Sequence, residues 1–241
     1  AISIRNLGRP KIKAEGKQVR ILELIHSIKN YLEAHGGGML GVDLTLNKLA
    51  TTGMSDKDFI DTPPQGTRHD EILDSAMAGI KAPHLQEIAT CLAAAKNDLV
   101  WREDNSQYYS PDANLGEGYS ECNLHTLLIG PDACGFHNSD FILGVFLLGP
   151  RTLYRDHNHA APELYVNLAK KSGWRLNFGD WQDYPAGSLI WNNADEIHAT
   201  KTYDQPFISV FVWLEKINSK CNVVFSKDWA EIEKDLAKGS N

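Results

Sequence analysis

The sequence predicts a mainly β protein in which an N-terminal α-helical extension precedes a barrel. From Trp101 onward Pro, Gly, Asn and Asp become frequent, and short apolar runs alternate with turn signals. About eight such runs fit a double-stranded barrel. The candidate strands are 123–129, 141–148, 152–156, 163–169, 174–178, 187–191, 198–202 and 207–214. We expect residues 1–100 to form the helical extension packed on the barrel, and residues 101–241 to form the barrel with a short C-terminal helix.

Helical periodicity dominates the first region. The segment 18–35 carries an apolar stripe, and Gly36-Gly37-Gly38 predicts its end. A second helix is expected over 69–80, and a third from Pro83, which suits a first helical turn. The tail 229–236 alternates Glu and Lys, which predicts a short helix with a solvated face.

The charge balance argues against two classes of partner. The 241 residues contain 24 Lys+Arg and 31 Asp+Glu, a net charge of −7, so neither a nucleic acid nor an anionic membrane is expected as partner. No apolar run approaches the roughly 18 residues of a membrane span.

The first residues, Ala1–Arg5, lack the layout of a signal peptide, and the four widely spaced cysteines predict reduced thiols. A cytoplasmic location is therefore expected.

One short window concentrates the polar chemistry. His157 and His159 lie two residues apart, and Glu163 and Tyr165 repeat that spacing after a turn. On two strands of a hairpin each pair shares a face, so two imidazoles and a carboxylate can meet. Borderline divalent metals favour such ligands, and His198, after a second strand-like run, is the candidate fourth ligand. The alternative is a polar hairpin whose histidines face water.

These motifs resemble those of a known family. The pattern His-x-His-x3-Glu, followed by Pro185-Ala186-Gly187 and then His198, is similar to the two-motif signature of the cupins. With Tyr165 after the glutamate and Tyr154 before the histidines, the C-terminal half resembles the cupin-type dimethylsulfoniopropionate (DMSP) lyases. The chain length and long N-terminal part are most similar to the DddL members. The resemblance implies a cupin barrel and cleavage of DMSP into acrylate and dimethyl sulfide.

The predicted reaction is a β-elimination at a metal site. One divalent transition metal (zinc, iron, manganese, nickel or cobalt) is expected on His159, Glu163 and His198, with His157 either a further ligand or a lining residue. Tyr165 is the expected general base, because a nearby dication favours its phenolate. The resemblance points to Tyr154 as a second catalytic or substrate-facing tyrosine.

The zwitterionic substrate needs a site for its cation. A sulfonium donates no hydrogen bond, so aromatic faces are expected to hold it by cation–π attraction. The β region offers Tyr154, Trp174, Trp191 and Trp213 for this role. His125 and His137, on earlier segments, could reach the pocket, but a structural or surface role is expected for each.

Two other functions use the same ligands. A cupin dioxygenase would use non-haem iron and need oxygen, and a non-catalytic cupin would only bind a small ligand. Cleavage of DMSP without oxygen separates the lyase from the dioxygenase. Oligomeric state stays open, with a homodimer as one alternative because cupin barrels often pair.

Overall fold

The computed structural model describes residues 11–239, and the expected mainly β architecture with N-terminal helices is confirmed. The segment Ala1–Arg5 lies outside the described residues. The helices are α1 (Lys11–His35), α2 (Leu40–Thr51), α3 (Asp70–Ala78), α4 (Gln86–Ala95), α5 (Glu117–Glu121) and α6 (Trp229–Ala237). The strands are β1 (Asn123–Gly130), β2 (Phe136–His137), β3 (Ile142–Leu148), β4 (Leu153–Asn158), β5 (Glu163–Asn167), β6 (Ser172–Leu176), β7 (Gln182–Tyr184), β8 (Leu189–Asn192), β9 (His198–Lys201), β10 (Phe207–Trp213) and β11 (Asn222–Val223).

Two sheets face each other and form the double-stranded barrel. The larger sheet has the order β2-β1-β3-β10-β5-β8, and the smaller has the order β11-β4-β9-β6-β7. Every strand pair is antiparallel except β1 with β2. All eight predicted strands are present within two residues at most of their bounds, and β2, β7 and β11 are additional short edge strands.

Strand β10 shows why the sequences of the central strands are continuous apolar runs. Its Phe207, Phe211 and Trp213 lie with the aromatic cluster between the sheets, whereas Ile208 and Val210 lie in the cluster shared with the helices. Both faces are buried, so the usual apolar–polar alternation of a half-solvated strand is absent. The larger sheet therefore has a helical layer on one face and the cavity on the other.

The helical layer includes one helix that the sequence did not predict. Helix α1 buries Ile21, Ile25 and Ile28, and it packs mainly against α4. The triple glycine 36–38 ends α1 as expected, but α2 begins almost at once at Leu40. Helix α2 approaches the sheet closely, because a Cβ built on Gly41 would lie 2.2 Å from Cε3 of Trp191.

Helix α6 covers the outer face of the smaller sheet. Arg175 on β6 forms ion pairs with Asp156 on β4 and Asp228 just before α6, both at 2.5 Å. The indole of Trp229 donates a further hydrogen bond of 2.7 Å to Asp156. The helix exposes charged side chains, as expected, but Trp229 and Leu236 are buried. The helix therefore also packs against β4 from outside.

The cysteines and the helices bear on two further expectations. Cys91, Cys122, Cys134 and Cys221 are free thiols, as predicted, and all except Cys91 are buried. Among residues 11–239, no helix combines the length and the apolar character that crossing a membrane requires.

Candidate active site

A cavity between the two sheets contains most of the predicted site residues. Its walls are largely aromatic, and its polar groups come from both sheets and from the loop before α5. The lining residues are Asp104, Tyr108, Tyr119, His125, Phe146, Tyr154, His157, His159, Glu163, Tyr165, Phe211, Trp213 and Cys221. His198 adjoins these residues, with its ring centroid 4.2 Å from that of His157. The histidines therefore face the barrel interior, and the alternative of a polar hairpin facing water is wrong.

A β-bulge in β4 brings Tyr154 and His157 to the same face. Tyr154 pairs with Thr200 and His157 pairs with His198, so β4 carries one extra residue between these pairs. Without a bulge, residues three apart would point to opposite faces. With it, the two rings stack at a centroid distance of 4.1 Å inside the cavity.

Three buried histidines converge on one point. One potential ligand atom from each of His157, His159 and His198 lies within 4.8 Å of the others. In each ring Nδ1 bonds to a backbone carbonyl, at 2.7 Å to Arg155, 2.8 Å to Ala161 and 2.9 Å to Glu196. A carbonyl only accepts, so each Nδ1 carries a hydrogen, and Nε2 is the ring atom that a metal would bind.

Glu163 completes this cluster from the first residue of β5. Its Oε2 lies 3.1 Å from Nε2 of His159 and 3.6 Å from Nε2 of His198. Its other oxygen, Oε1, accepts a hydrogen bond of 2.9 Å from the indole of Trp213, the residue opposite on β10. The carboxylate is thus held at one oxygen and turned toward the imidazoles with the other.

The cluster suits a divalent transition metal. Nε2 of His198 is buried and has no hydrogen-bond partner among residues 16–239, whose side chains the structure describes, and the 3.6 Å to Glu163 is too long for one. A buried polar atom without a partner is costly unless an ion or water satisfies it. A metal-bound histidine usually donates a hydrogen bond from its other ring nitrogen, as the Nδ1 atoms of these three histidines do to backbone carbonyls. The donors would be His157, His159, His198 and Glu163.

The pKa values of His157 and His198 agree with neutral ligands. Burial, with the neighbouring imidazoles, lowers the pKa of His198 to about 4 and that of His157 well below its usual value. Burial opposes protonation of His159 too, but the hydrogen bond to Glu163 and the charge of that carboxylate together raise the pKa of His159. Burial opposes ionisation of Glu163, yet the two imidazoles lower its pKa. Glu163 and His159 therefore each favour the charged form of the other.

Tyr165 lies on the cavity side of β5, two residues beyond Glu163. Its ring packs 4.9 Å from the ring of Trp174 and 6.4 Å from that of Phe146. Burial and the charge of Glu163 raise the pKa of this phenol well above its usual value. In the absence of a cation the hydroxyl therefore keeps its proton.

The three predicted tryptophans occupy three different positions. Trp213 lines the cavity, with its ring 4.5 Å from that of His159. Trp174 is buried behind Tyr165 and supports it. Trp191 corrects the prediction: it packs with the helical layer on the outer face, against Gly41 of α2. Trp191 pairs with Leu164, whose side chain faces outward, and paired residues point to the same face of a sheet. A shift of one residue along the strand would have turned the indole toward the cavity.

Several cavity residues were not predicted. Tyr108 and Asp104 come from the loop before α5, Tyr119 comes from α5 itself, and His125 comes from β1. A structural or surface role was expected for His125, but it faces the cavity, and its Nε2 is buried without a partner in the described part of the chain. His137 is exposed on β2, as expected. In the sequence, the adjacent phenols of Tyr108 and Tyr109 were the signal that could have indicated a role for this loop in the site.

Comparison with known proteins connects this site to a family. The family model described as dimethylsulfoniopropionate lyase matches residues 42–209. No curated protein matches the chain significantly. A chain from the crystal structures of the DMSP lyases RdDddP and RnDddQII matches with a TM-score of 0.65 and 17% identity, covering 87% of this chain and all of that chain. DMSP lyase DddQ from Ruegeria pomeroyi DSS-3 matches with a TM-score of 0.61 and 18% identity, covering 86% and 98%.

The two comparisons carry different weight. At 17% and 18% identity, the structural matches show the fold alone. The family model, by contrast, spans well over half of the sequence and includes the histidines, Glu163 and both candidate catalytic tyrosines. The chain therefore belongs to the DMSP lyase family.

Proposed function

We propose that the chain cleaves DMSP by metal-dependent β-elimination into acrylate and dimethyl sulfide, with Tyr165 as the general base. The observation that carries the proposal is the convergence of three imidazoles, one carboxylate and a phenol on one buried cavity. Membership of the DMSP lyase family provides the substrate. The geometry of the cavity supports the proposal, because candidate metal ligands, a candidate base and aromatic walls lie together.

The substrate's carboxylate would bind at the ligand cluster, through the metal that these residues would hold. His157, His159, His198 and Glu163 would hold one divalent transition metal, and zinc, iron, manganese, nickel and cobalt all accept this donor set. A bound dication supplies Lewis-acid stabilisation of the enolate-like charge that develops on the carboxylate. Trp213 keeps Glu163 in the orientation that this site requires, through its hydrogen bond to Oε1.

Tyr165 takes the α-proton. Its pKa is high because it is buried beside the negative Glu163, and this second cause is removed once Glu163 is neutralised by a cation. Tyr165 acts as the phenolate, after its own proton has been released to solvent. The α-proton then passes to the phenolate oxygen, the C–H electron pair forms the Cα=Cβ bond, and the C–S pair leaves with sulfur. Neutral dimethyl sulfide needs no proton, so no general acid is required at that end.

The aromatic walls receive the sulfonium. Tyr154 stacks on Tyr119 at a centroid distance of 4.6 Å, and its hydroxyl hydrogen-bonds that of Tyr109 at 2.6 Å. Burial and these neighbouring phenols raise the pKa of Tyr154 well above its usual value. A phenol held neutral in this way suits cation binding better than proton abstraction. We therefore propose binding as the main role of Tyr154.

A substitution at Tyr165 tests the proposal. Tyr165→Phe removes only the hydroxyl, and we expect DMSP cleavage to fall about 10²–10⁴-fold because a general base is lost. Metal content, measured by elemental analysis, should stay unchanged. The activity is followed as dimethyl sulfide in the headspace under strict anaerobiosis, which also excludes an oxygenase.

The control variant is Tyr184→Phe, which removes a hydroxyl from β7 outside the cavity lining. It should retain full activity. If Tyr165→Phe instead keeps nearly all turnover with its metal in place, Tyr165 is not the base and Tyr154→Phe becomes the next variant to measure.

A further inference from the structure

The cavity has a second charged pole in addition to the ligand cluster. Asp104, in the loop before α5, lines the cavity together with the aromatic residues. It also lines the adjoining surface groove that Arg68, Trp101 and Gln107 border. The carboxylate therefore lies where the buried cavity meets the surface.

The hydrogen bonds that Asp104 accepts leave its negative charge free to attract a cation. Its Oδ1 accepts backbone hydrogen bonds from Gln107 at 3.1 Å and Tyr108 at 3.2 Å, which shape the loop. Its Oδ2 receives only a long bond of 3.4 Å from the hydroxyl of Tyr119. Among residues 16–239, whose side chains the structure describes, no Lys, Arg or His forms an ion pair with Asp104, unlike Glu103 beside it, which pairs with Arg68.

The negative charge acts on the aromatic wall of the cavity. After burial, Asp104 is the next cause that raises the pKa values of both Tyr108 and Tyr119. Tyr119 in turn stacks on Tyr154, which stacks on His157. An unpaired carboxylate thus stands at one end of an aromatic wall whose other end reaches the candidate metal ligands.

We propose that Asp104 is the specificity residue that recognises the cationic end of the zwitterionic substrate, as the counter-charge to the aromatic faces. This inference rests on the proposed function, which places the substrate carboxylate at the ligand cluster. A carboxylate near a sulfonium adds Coulomb attraction that a cation–π contact alone lacks. Asp104 thereby selects zwitterions over simple carboxylates of the same shape.

A matched pair of ligands isolates the charge. In 3-(trimethylammonio)propanoate the cation is retained on a poorer leaving group than sulfonium, and 4,4-dimethylpentanoate has the same shape with carbon in place of the charged nitrogen. Both present the carboxylate that the ligand cluster is proposed to bind. Their dissociation constants are measured by calorimetry on the metal-loaded enzyme, so the readout does not depend on turnover.

The variant Asp104→Asn removes the charge and keeps an oxygen that accepts the two loop hydrogen bonds. We expect the dissociation constant of the cationic ligand to rise about tenfold, because a charge interaction at the mouth of the cavity is lost. The constant of the neutral ligand should change less than twofold. Asp104→Ser, which also caps loops, serves if the asparagine variant does not fold. Glu103→Gln, next in sequence but paired with Arg68, is the control.

Two results overturn the proposal. Equal weakening of both ligands shows that Asp104 only shapes the loop, and no change in either shows that it does not contact the cation. A headspace assay of the wild-type enzyme in parallel separates the two levels. If the wild type releases no dimethyl sulfide while the charge-dependent difference in binding is present, the proposed function fails and the cation site stands.

Discussion

The indole nitrogen of Trp213 donates a hydrogen bond of 2.9 Å to Oε1 of Glu163, its cross-strand partner. This bond fixes the carboxylate so that Oε2 faces the imidazoles. We predict that Trp213→Phe weakens metal binding about 10–100-fold, the usual effect of losing a residue that orients a ligand. Competition with a chromophoric chelator measures it. Trp191→Phe, which removes an indole from the outer face, should leave metal affinity unchanged, and equal losses in both variants would refute this role.

The ion pair between Arg175 and Asp156 predicts a large effect on stability. Both side chains are almost completely buried, and Asp156 is fully so. Arg175→Met leaves an uncompensated carboxylate in the interior, so the free energy of unfolding should fall by about 3–5 kcal/mol. Urea denaturation of the metal-free protein measures the change.

The control is the exposed pair of Arg151 and Asp204. Arg151→Met should cost less than about 1 kcal/mol, because solvent screens a surface pair. Comparable losses in the two variants would show that burial of Arg175 is not what makes its pair strong.

A single methyl group at Gly41 should disturb the contact between α2 and the barrel. In Gly41→Ala the new Cβ would lie 2.2 Å from the ring of Trp191, so the helix or the ring must move. We predict a loss of about 1–3 kcal/mol in stability, as for other overpacked sites. Gly37→Ala, whose Cβ would meet no atom within 4 Å, is the control and should be nearly neutral. Thermal unfolding compares the two, and a stable Gly41→Ala variant would show that α2 packs loosely.

The buried imidazoles predict that acid destabilises the metal-free protein. Burial lowers the pKa values of His125 and His198 to about 4 from the usual 6.5, so these groups stay neutral in the folded chain. Between pH 6.5 and 4 the unfolded chain binds protons that the folded chain does not, and stability falls as the pH falls. His159 acts in the opposite direction, because Glu163 raises its pKa.

The measurement is the urea midpoint of the metal-free protein at several pH values across this window. We expect the midpoint to decrease steadily toward pH 4. His198→Gln should flatten the dependence, since one of the titrating groups is removed. A midpoint that is constant or rises on acidification would show that His159 outweighs the other imidazoles.

Strands and the ligand motif were predictable because their patterns are local. Runs such as β3 and β10 are continuous and apolar, and the spacing of His157, His159 and Glu163 is a property of one hairpin. Helix α2 was not predicted, because a triple glycine precedes it and buried Gly41 and Thr45 replace large apolar residues in its stripe. Its existence depends on the sheet that it covers.

Other parts of the site depend on tertiary structure. The bulge that turns Tyr154 and His157 to one face is visible only in the pairing of β4 with β9. Trp191 was assigned to the substrate because an aromatic residue near a ligand strand does not reveal which face it occupies. Asp104 reaches the cavity only because its loop folds against the barrel, and a loop without periodicity does not predict that contact.

The central claim is that a metal held by this cluster is required for the elimination of DMSP. The direct measurement is anaerobic release of dimethyl sulfide and acrylate by enzyme that is first stripped with chelator and then reloaded with a single divalent metal. We predict negligible release by the stripped enzyme, and recovery on reloading with the two products in a one-to-one ratio. Full activity of the stripped enzyme, or no product from the reloaded enzyme, would contradict it.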